Sequence, residues 1–387
     1  MPEAVALVAH SGGPTPVINA SLGGVIERAR QHRRIGKLYG ARFGIDGILR
    51  EDFIDLFAQS ERKLAAVSRA PSSALGTSRR RITQKDGERL LRVFRAHNVR
   101  QFFYTGGNGS MITACEIAEL ARQSGYELQV IGIPKTIDND LAETDHSPGY
   151  ASAARFFACA VRDLGGDNRA LPGQVEFVEV LGRHAGWIVA ATALARQEPD
   201  DAPHLLYLPE IPLPLDQLLQ DVNSVFRRLG RCVVAICEGQ LDERGEAFGA
   251  DVRPGSRGQL AMNLGHRLSL LTAQKLKLKT RSEKPGLLAR ASLAFPSQLD
   301  WDEARLCGQA AVDAAENGKS GVMVTLVRGP GPGYSAATAC APLEKVACGE
   351  KRFPAEWRHP AGGDVAPAFF DYAAPLVGSI ERYERLK

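Results

Sequence analysis

The chain has 387 residues, 44% of them hydrophobic and 24% charged, with a formal net charge of +4 at pH 7. That length allows two or more lobes with separate cores, and the composition is that of a globular protein, not a disordered or fibrous one. The small net charge gives no argument for a nucleic-acid partner, and no apolar run reaches the length of a membrane span.

In chain order, Ala4–His10 reads as a buried strand, and the segment Ser11-Gly12-Gly13-Pro14-Thr15-Pro16-Val17-Ile18-Asn19-Ala20 leads from it into a helix over Ala20–Gln31. Glycines let a backbone approach phosphate closely, and a helix N-terminus offers N–H groups. The spacing is neither Walker A nor GxGxxG, so this is a generic anion-binding turn. After Leu75-Gly76-Thr77-Ser78, the basic knot Arg79-Arg80-Arg81 could grip a polyphosphate or simply be solvated. A strand over Gln101–Tyr104 and a helix over Met111–Gln123 enclose a second glycine cluster, Gly106-Gly107-Asn108-Gly109-Ser110. Asn108 carries an amide oxygen that could bind magnesium, more weakly than a carboxylate.

The strand Leu128–Ile133 runs into Pro134-Lys135-Thr136-Ile137-Asp138-Asn139-Asp140. An acid at the carboxyl end of such a strand can accept a hydroxyl proton, and a neighbouring lysine can neutralise phosphate; the bland alternative is a polar βα loop. A helix over Ala151–Leu164 and a strand over Gln174–Val180 precede Leu181-Gly182-Arg183-His184-Ala185-Gly186-Trp187. Arg183 offers a fork suited to phosphate or to a surface ion pair, and His184 is expected to be packed or hydrogen-bonded. Then come a helix over Trp187–Arg196, a strand over Leu205–Tyr207, a helix over Leu215–Leu229 and a strand over Cys232–Ile236. Glu238 ends that last strand and could bind sugar hydroxyls or stand exposed.

A helix over Gln259–Leu276 leads to Arg281 and Arg290, which flank Lys284-Pro285-Gly286 and could hold a phosphate on an acceptor. A helix over Asp300–Asn317 and a strand over Gly321–Leu326 follow, and Gly329-Pro330-Gly331-Pro332-Gly333 marks a turn or linker before a C-terminal extension. Alternating strands and helices give an α/β fold with mainly parallel sheets. The seven cysteines are scattered without a CxxC pair, so neither a disulfide frame nor a zinc site is expected. The opening Met1-Pro2-Glu3-Ala4 lacks the basic start of a signal peptide, which makes the cytoplasm the expected compartment.

The ordered set SGGPTPVINA, GGNGS, PKTIDND, EVLGRHAGW, CEG and an arginine before a helix resembles the phosphofructokinase family over nearly the whole chain. The tail, with Phe353-Pro354-Ala355-Glu356-Trp357 and Tyr372-Ala373-Ala374-Pro375-Leu376-Val377-Gly378, is similar to the longer, pyrophosphate-type branch. The resemblance implies two Rossmann-like lobes with the active site in the cleft between them. They would be a donor lobe over 1–149, a sugar-phosphate lobe over 150–290, and a chain return and extension over 291–387 packing across both. It also implies Mg2+-dependent transfer of a phosphoryl group to the 1-hydroxyl of fructose 6-phosphate, a step of glycolysis, by a homodimer.

By motif, the resemblance makes Asp138 the base, with Thr136 touching the transferring group, Lys135 stabilising donor charge and Asp140 supporting the site. Gly12, Arg79, Arg80, Asn108, Gly109 and Ser110 would line the donor. Thr136, Ile137, Asp138, Leu181, Gly182, Arg183, Glu238, Arg281 and Arg290 would meet the sugar phosphate, with Arg183 also counted among the catalytic groups. Pyrophosphate-using relatives carry Asp where Gly109 stands, so ATP is the expected donor by a narrow margin, whereas Lys135 is the residue of the pyrophosphate users. Leu287 and Ala289 replace polar groups usual before Arg290, which leaves open a paralogue acting on another sugar phosphate. Gln174 stands where tetrameric relatives carry a cross-subunit Arg, which favours a dimer. A non-catalytic ligand sensor is the remaining alternative.

Overall fold

The computed structural model describes residues 4–32, 34–248, 263–331, 333–360 and 362–386. The described strands are β1 (Ala4–His10), β2 (Ile35–Ala41), β3 (Phe53–Asp55), β4 (Val99–Gly106), β5 (Gln129–Pro134), β6 (Gln174–Val180), β7 (Leu205–Tyr207), β8 (Cys232–Cys237), β9 (Lys279–Glu283), β10 (Val322–Arg328) and β11 (Ala336–Pro342). They form two sheets, and the chain divides into two compact units, residues 4–149 with 298–351 and residues 150–297 with 352–386.

The first unit carries a seven-stranded sheet in the order β11-β10-β5-β4-β1-β2-β3. Its central pairs are parallel, and the antiparallel pairs β2–β3 and β10–β11 close the two edges. Strand β1, AVALVAH, is buried along all but its first residue, as a strand covered by helices on both faces must be. One core gathers Leu7, Phe94, Phe102, Tyr104, Ile117 and Val130; the other gathers Val8, Val25, Phe103, Ile131, Ile133 and Val324. The strand order reverses at β1, which lies between β2 and β4, and such a switch point opens a crevice at the strands' carboxyl ends. Register fixes what leaves there: His10 pairs with Thr105, and Gly106 pairs with Pro134. Hence the loops after β1, β4 and β5 depart from the same sheet edge.

The second unit has a four-stranded, all-parallel sheet in the order β7-β8-β6-β9. Its core includes Phe177, Leu218, Val234, Ile236 and Leu264. Val180 pairs with Cys237, so the segment starting at Leu181 and the loop starting at Glu238 emerge side by side. Trp187, which opens the helix Trp187–Ala191, anchors an aromatic cluster with Phe353 (5.3 Å between centroids) and Tyr372 (5.4 Å), while Trp357 lies 4.9 Å from Tyr372. The tail is thus fastened by the last residue of the GRHAGW motif.

Several elements depart from the sequence reading. Strands β2, β3, β9 and β11 were not expected, because glycine and lysine interrupt β2, β9 reads KTRSE with alternating exposure, and β11 is alanine-rich. Among the helices, Gln84–Ala96 was missed although Thr83 and Asp86 form a reciprocal capping box at its start. The helix expected over Gln259–Leu276 is seen over Leu264–Leu276; residues 259–262 lie outside the described residues, as do Met1–Glu3 and Pro332. The Gly329–Gly333 breaker joins two strands of one antiparallel hairpin, with Gly329 N–H donating to Ser335 O at 2.8 Å.

Candidate active site

The glycine turn after β1 is built around a lysine. Gly12 has a left-handed φ of +77°, and a Cβ placed there would stand 3.2 Å from Lys135 Nζ. That nitrogen is buried and donates to Gly13 O at 2.7 Å, while Lys135 N–H donates to Gly106 O at 3.0 Å. One residue therefore ties both glycine loops together. Gly12 N–H in turn donates to Ser78 O at 3.0 Å, bringing the 79–81 basic knot to the same edge. Arg79 is exposed there, whereas Arg80 spends its fork on Asp86 (2.8 Å) and Asp46 (3.2 Å). His10, at the end of β1, is fully buried with Nδ1 2.7 Å from Ser73 Oγ. Burial, reinforced by the Lys135 charge, drives its pKa down to about 3, so the imidazole is neutral.

The second glycine loop opens the helix Asn108–Gln123. Gly106 is compulsory, since a Cβ there would lie 2.0 Å from Ser110 Oγ. Ser110 is buried and its backbone N–H donates to Gly107 O at 2.8 Å, and Gly109 O accepts from Thr113 Oγ1 at 3.2 Å. The first-turn N–H groups of this helix lie at the edge where an anion meets the positive dipole end. Asn108 Nδ2 donates to Asp140 Oδ2 at 2.8 Å, and Asn108 Oδ1 is buried without a hydrogen-bond partner among the described residues. An amide oxygen left over beside a carboxylate is a donor set that suits a hard cation such as Mg2+, so Asn108 fits the weak metal role. Among the described residues no cluster of three or more His, Cys, Asp or Glu could hold a metal by itself.

The loop after β5 carries the carboxylates. Asp138 N–H donates to Thr136 Oγ1 at 3.1 Å, a turn closed by a hydroxyl, and Thr136 N–H donates to Pro148 O at 3.2 Å. Ile137 is buried, and Asp138 is partly exposed. Asn139 takes a left-handed φ of +55°, which Asn tolerates better than most residues, and reverses the chain between the two aspartates. Behind it, His146 is sandwiched between Asp145 (2.8 Å) and Glu303 (2.6 Å), with Tyr334 O–H donating to Glu303. Burial opposes the charged imidazole, yet hydrogen bonds to both carboxylates raise its pKa.

In the second unit, Arg183 is exposed at a left-handed φ of +53°. Its carbonyl accepts from Cys237 Sγ at 3.3 Å, and a Cβ on Gly239 would fall 1.6 Å from the same oxygen. The CEG glycine is therefore what lets the 181–186 turn close on the 238–240 loop. Gly182 is buried with φ +140°, and Leu181 is partly buried. Glu238 is held by its N–H to Val180 O (2.8 Å); burial and the nearby Glu179 charge push its carboxyl pKa up, against Lys284 and Arg183. Lys284 is paired with the buried Glu179 at 2.6 Å. Arg281 is exposed on β9 and Arg290 sits in the short helix Leu288–Ala291, where Leu287 and Leu288 are exposed. His184 is exposed in the turn, not packed as expected.

The sequence reading missed Lys351, whose Nζ reaches Asn139 Oδ1 and whose chain position, more than 200 residues on, gave no local signal. Nor was there a signal for Asp46, which holds both Arg80 and Ser78 Oγ.

Two glycine loops, a buried lysine and a carboxylate loop at one parallel-sheet edge define an α/β enzyme of the phosphate-handling class. A family model described as Phosphofructokinase matches residues 5–315, and the chain belongs to the phosphofructokinase family, whose members are phosphotransferases acting on an alcohol group. It is similar to the pyrophosphate–fructose 6-phosphate 1-phosphotransferase of Rhodospirillum rubrum, 39% identical over 96% of this chain and 94% of that protein. The protein of the same name from Xanthomonas campestris pv. campestris is 40% identical over 96% and 91%. Among solved structures, the pyrophosphate-dependent phosphofructokinase of Nitrosospira multiformis aligns with a TM-score of 0.90 at 35% identity, covering 100% of this chain and 94% of that one.

Proposed function

We propose that the chain transfers a phosphoryl group from pyrophosphate to the 1-hydroxyl of fructose 6-phosphate, giving fructose 1,6-bisphosphate. The observation that carries this reading is Lys135, buried at the two glycine loops three residues before Asp138. Asp138 takes the hydroxyl proton as the oxygen attacks; Lys135 and the N–H groups of the glycine loops neutralise the donor, and Thr136 meets the transferring group. Phosphoryl transfer asks little of a protein beyond this positioning and charge neutralisation. Arg183, Glu238, Arg281 and Arg290 hold the sugar phosphate. Magnesium, when bound, shields the charge of the donor phosphates, and Asn108 is the residue that would contribute to holding it.

Pyrophosphate replaces ATP as the leading donor because the relatives at 39% and 40% identity, matched over nearly their whole length, carry that name. ATP stays as a second reading on one observation, the partly exposed Gly109 in the first turn of the donor helix, where no carboxylate blocks a longer donor. The dimer is supported by Gln174, which is buried in β6 and bonded to Glu176 at 2.6 Å instead of reaching outward. The test is product formation from fructose 6-phosphate and Mg2+ with pyrophosphate and with ATP in separate reactions. Turnover with pyrophosphate is expected; turnover with ATP alone would transfer the assignment to the second reading, and turnover with neither would remove both.

A further inference from the structure

The loop that carries Asp138 and Asp140 has no helix or strand of its own between Thr136 and Gly149, which meet in an isolated bridge. Something else must hold it, because a base that wanders loses catalysis steeply. Lys351 is placed to do so. Its Nζ donates to Asn139 Oδ1 at 3.1 Å, to Thr144 O at 3.3 Å and to Asp145 O at 2.6 Å. Its own backbone N–H donates to Asp140 O at 2.9 Å.

These four bonds grip both limbs of the loop at once: the outgoing limb at Asn139 and Asp140, and the returning limb at Thr144 and Asp145. Asn139 Oδ1 also accepts from Ser147 N–H at 3.0 Å, so the amide joins the two limbs and the lysine locks the amide. Asn139 is the residue with the left-handed φ, and it stands between the two aspartates. Nζ has three acceptors, as many as the N–H donors of an ammonium, while burial, opposed by the Asp145 and Asp140 charges, brings the Lys351 pKa down to about 7. Asp145 is itself fixed by Arg328 at 3.2 Å and by His146, which gives the clamp a rigid floor.

We infer that Lys351 is a positioning residue for the reaction, holding Asn139 so that Asp138 meets the acceptor hydroxyl, without touching either substrate. The inference rests on the phosphotransferase reading only for its kinetic part. Lys351→Met is expected to lower kcat about a hundredfold with both KM values within about threefold, since position and not binding is lost. In hydrogen exchange of the same variant, peptides spanning 136–148 should exchange at least about tenfold faster, while those from β1 and β4 stay as in the wild type. Lys351→Gln, which keeps two N–H donors on a shorter stem, should fall between the two in both measurements. It also serves if the methionine variant does not fold. Wild-type exchange in 136–148, unchanged kcat, or a loss seen only in KM would each overturn the inference. If the wild-type protein has no phosphotransferase activity but the exchange still rises, the clamp stands and the proposed function falls.

Discussion

The side-chain amide of Asn108 donates to the Asp140 carboxylate across 2.8 Å, and its carbonyl oxygen is left buried without a hydrogen-bond partner among the described residues. This pins the amide's orientation, because a carboxylate accepts and does not donate. Asn108→Asp replaces a donor by a second carboxylate at that distance. Like charges so close cannot both ionise easily, so one of the two pKa values must rise. The acid limb of the kcat/KM profile is expected to move up by about one pH unit or more, measured from pH 5 to 9; an unmoved limb would show that the pair is not part of the site.

Gly12 combines a left-handed backbone with a Cβ position 3.2 Å from Lys135 Nζ. Gly12→Ala therefore carries backbone strain of roughly 1–2 kcal/mol and displaces the lysine head. On the proposed function the displaced group faces the donor, so the donor KM should rise about tenfold or more while the sugar-phosphate KM stays within twofold. Steady-state kinetics with each substrate varied in turn will separate these, and an equal rise in both would place Gly12 elsewhere.

Buried His10 makes stability depend on pH. Its folded pKa of about 3 lies below the ordinary value of 6.5, so the native state disfavours the proton relative to the unfolded chain. The contribution is fully present above pH 6.5 and is lost as pH falls toward 3. Between pH 7 and 4.5 the loss from this one group is about 2–3 kcal/mol. Urea unfolding at the two pH values should show a smaller drop for His10→Gln than for the wild type by that amount. Equal drops would mean the imidazole can charge in place.

Gly109 stands in the first turn of the helix Asn108–Gln123, which the proposed function places at the donor. Gly109→Asp adds a negative charge that repels an additional phosphate. Any ATP-supported turnover should fall by at least about a hundredfold, with pyrophosphate turnover changed less than tenfold. ATP turnover that survives the substitution would show that the donor does not extend past this position.

Much of the fold was legible where a strand buries its apolar side chains: β1, β6 and β7 read at the same bounds from sequence as they have in the structure, β7 although it stands at the edge of its sheet. The edge strand β9 was not, since KTRSE keeps one row of groups in water and shows no hydrophobic signature. The same asymmetry runs through the site. Gly12, Asn108, Lys135 and Asp138 lie in motifs next to their strands, so a local reading can single them out as candidates. What holds them is non-local: Lys351 grips Asn139 from the far end of the first unit, and Arg80, expected to face the donor, is drawn to Asp46 and Asp86. Partners brought together only by folding leave no spacing to read.

In the proposed function Asp138 is the base in phosphoryl transfer from pyrophosphate to a sugar-phosphate hydroxyl. Phosphorus-31 NMR of fructose 6-phosphate, pyrophosphate and Mg2+ with wild-type protein and with Asp138→Asn tests it directly. The wild type should produce fructose 1,6-bisphosphate and inorganic phosphate in equal amounts. The variant should do so at least about a hundredfold more slowly while binding fructose 6-phosphate within threefold of the wild type. Wild-type rates in the variant, or pyrophosphate left intact by the wild type, would contradict the account.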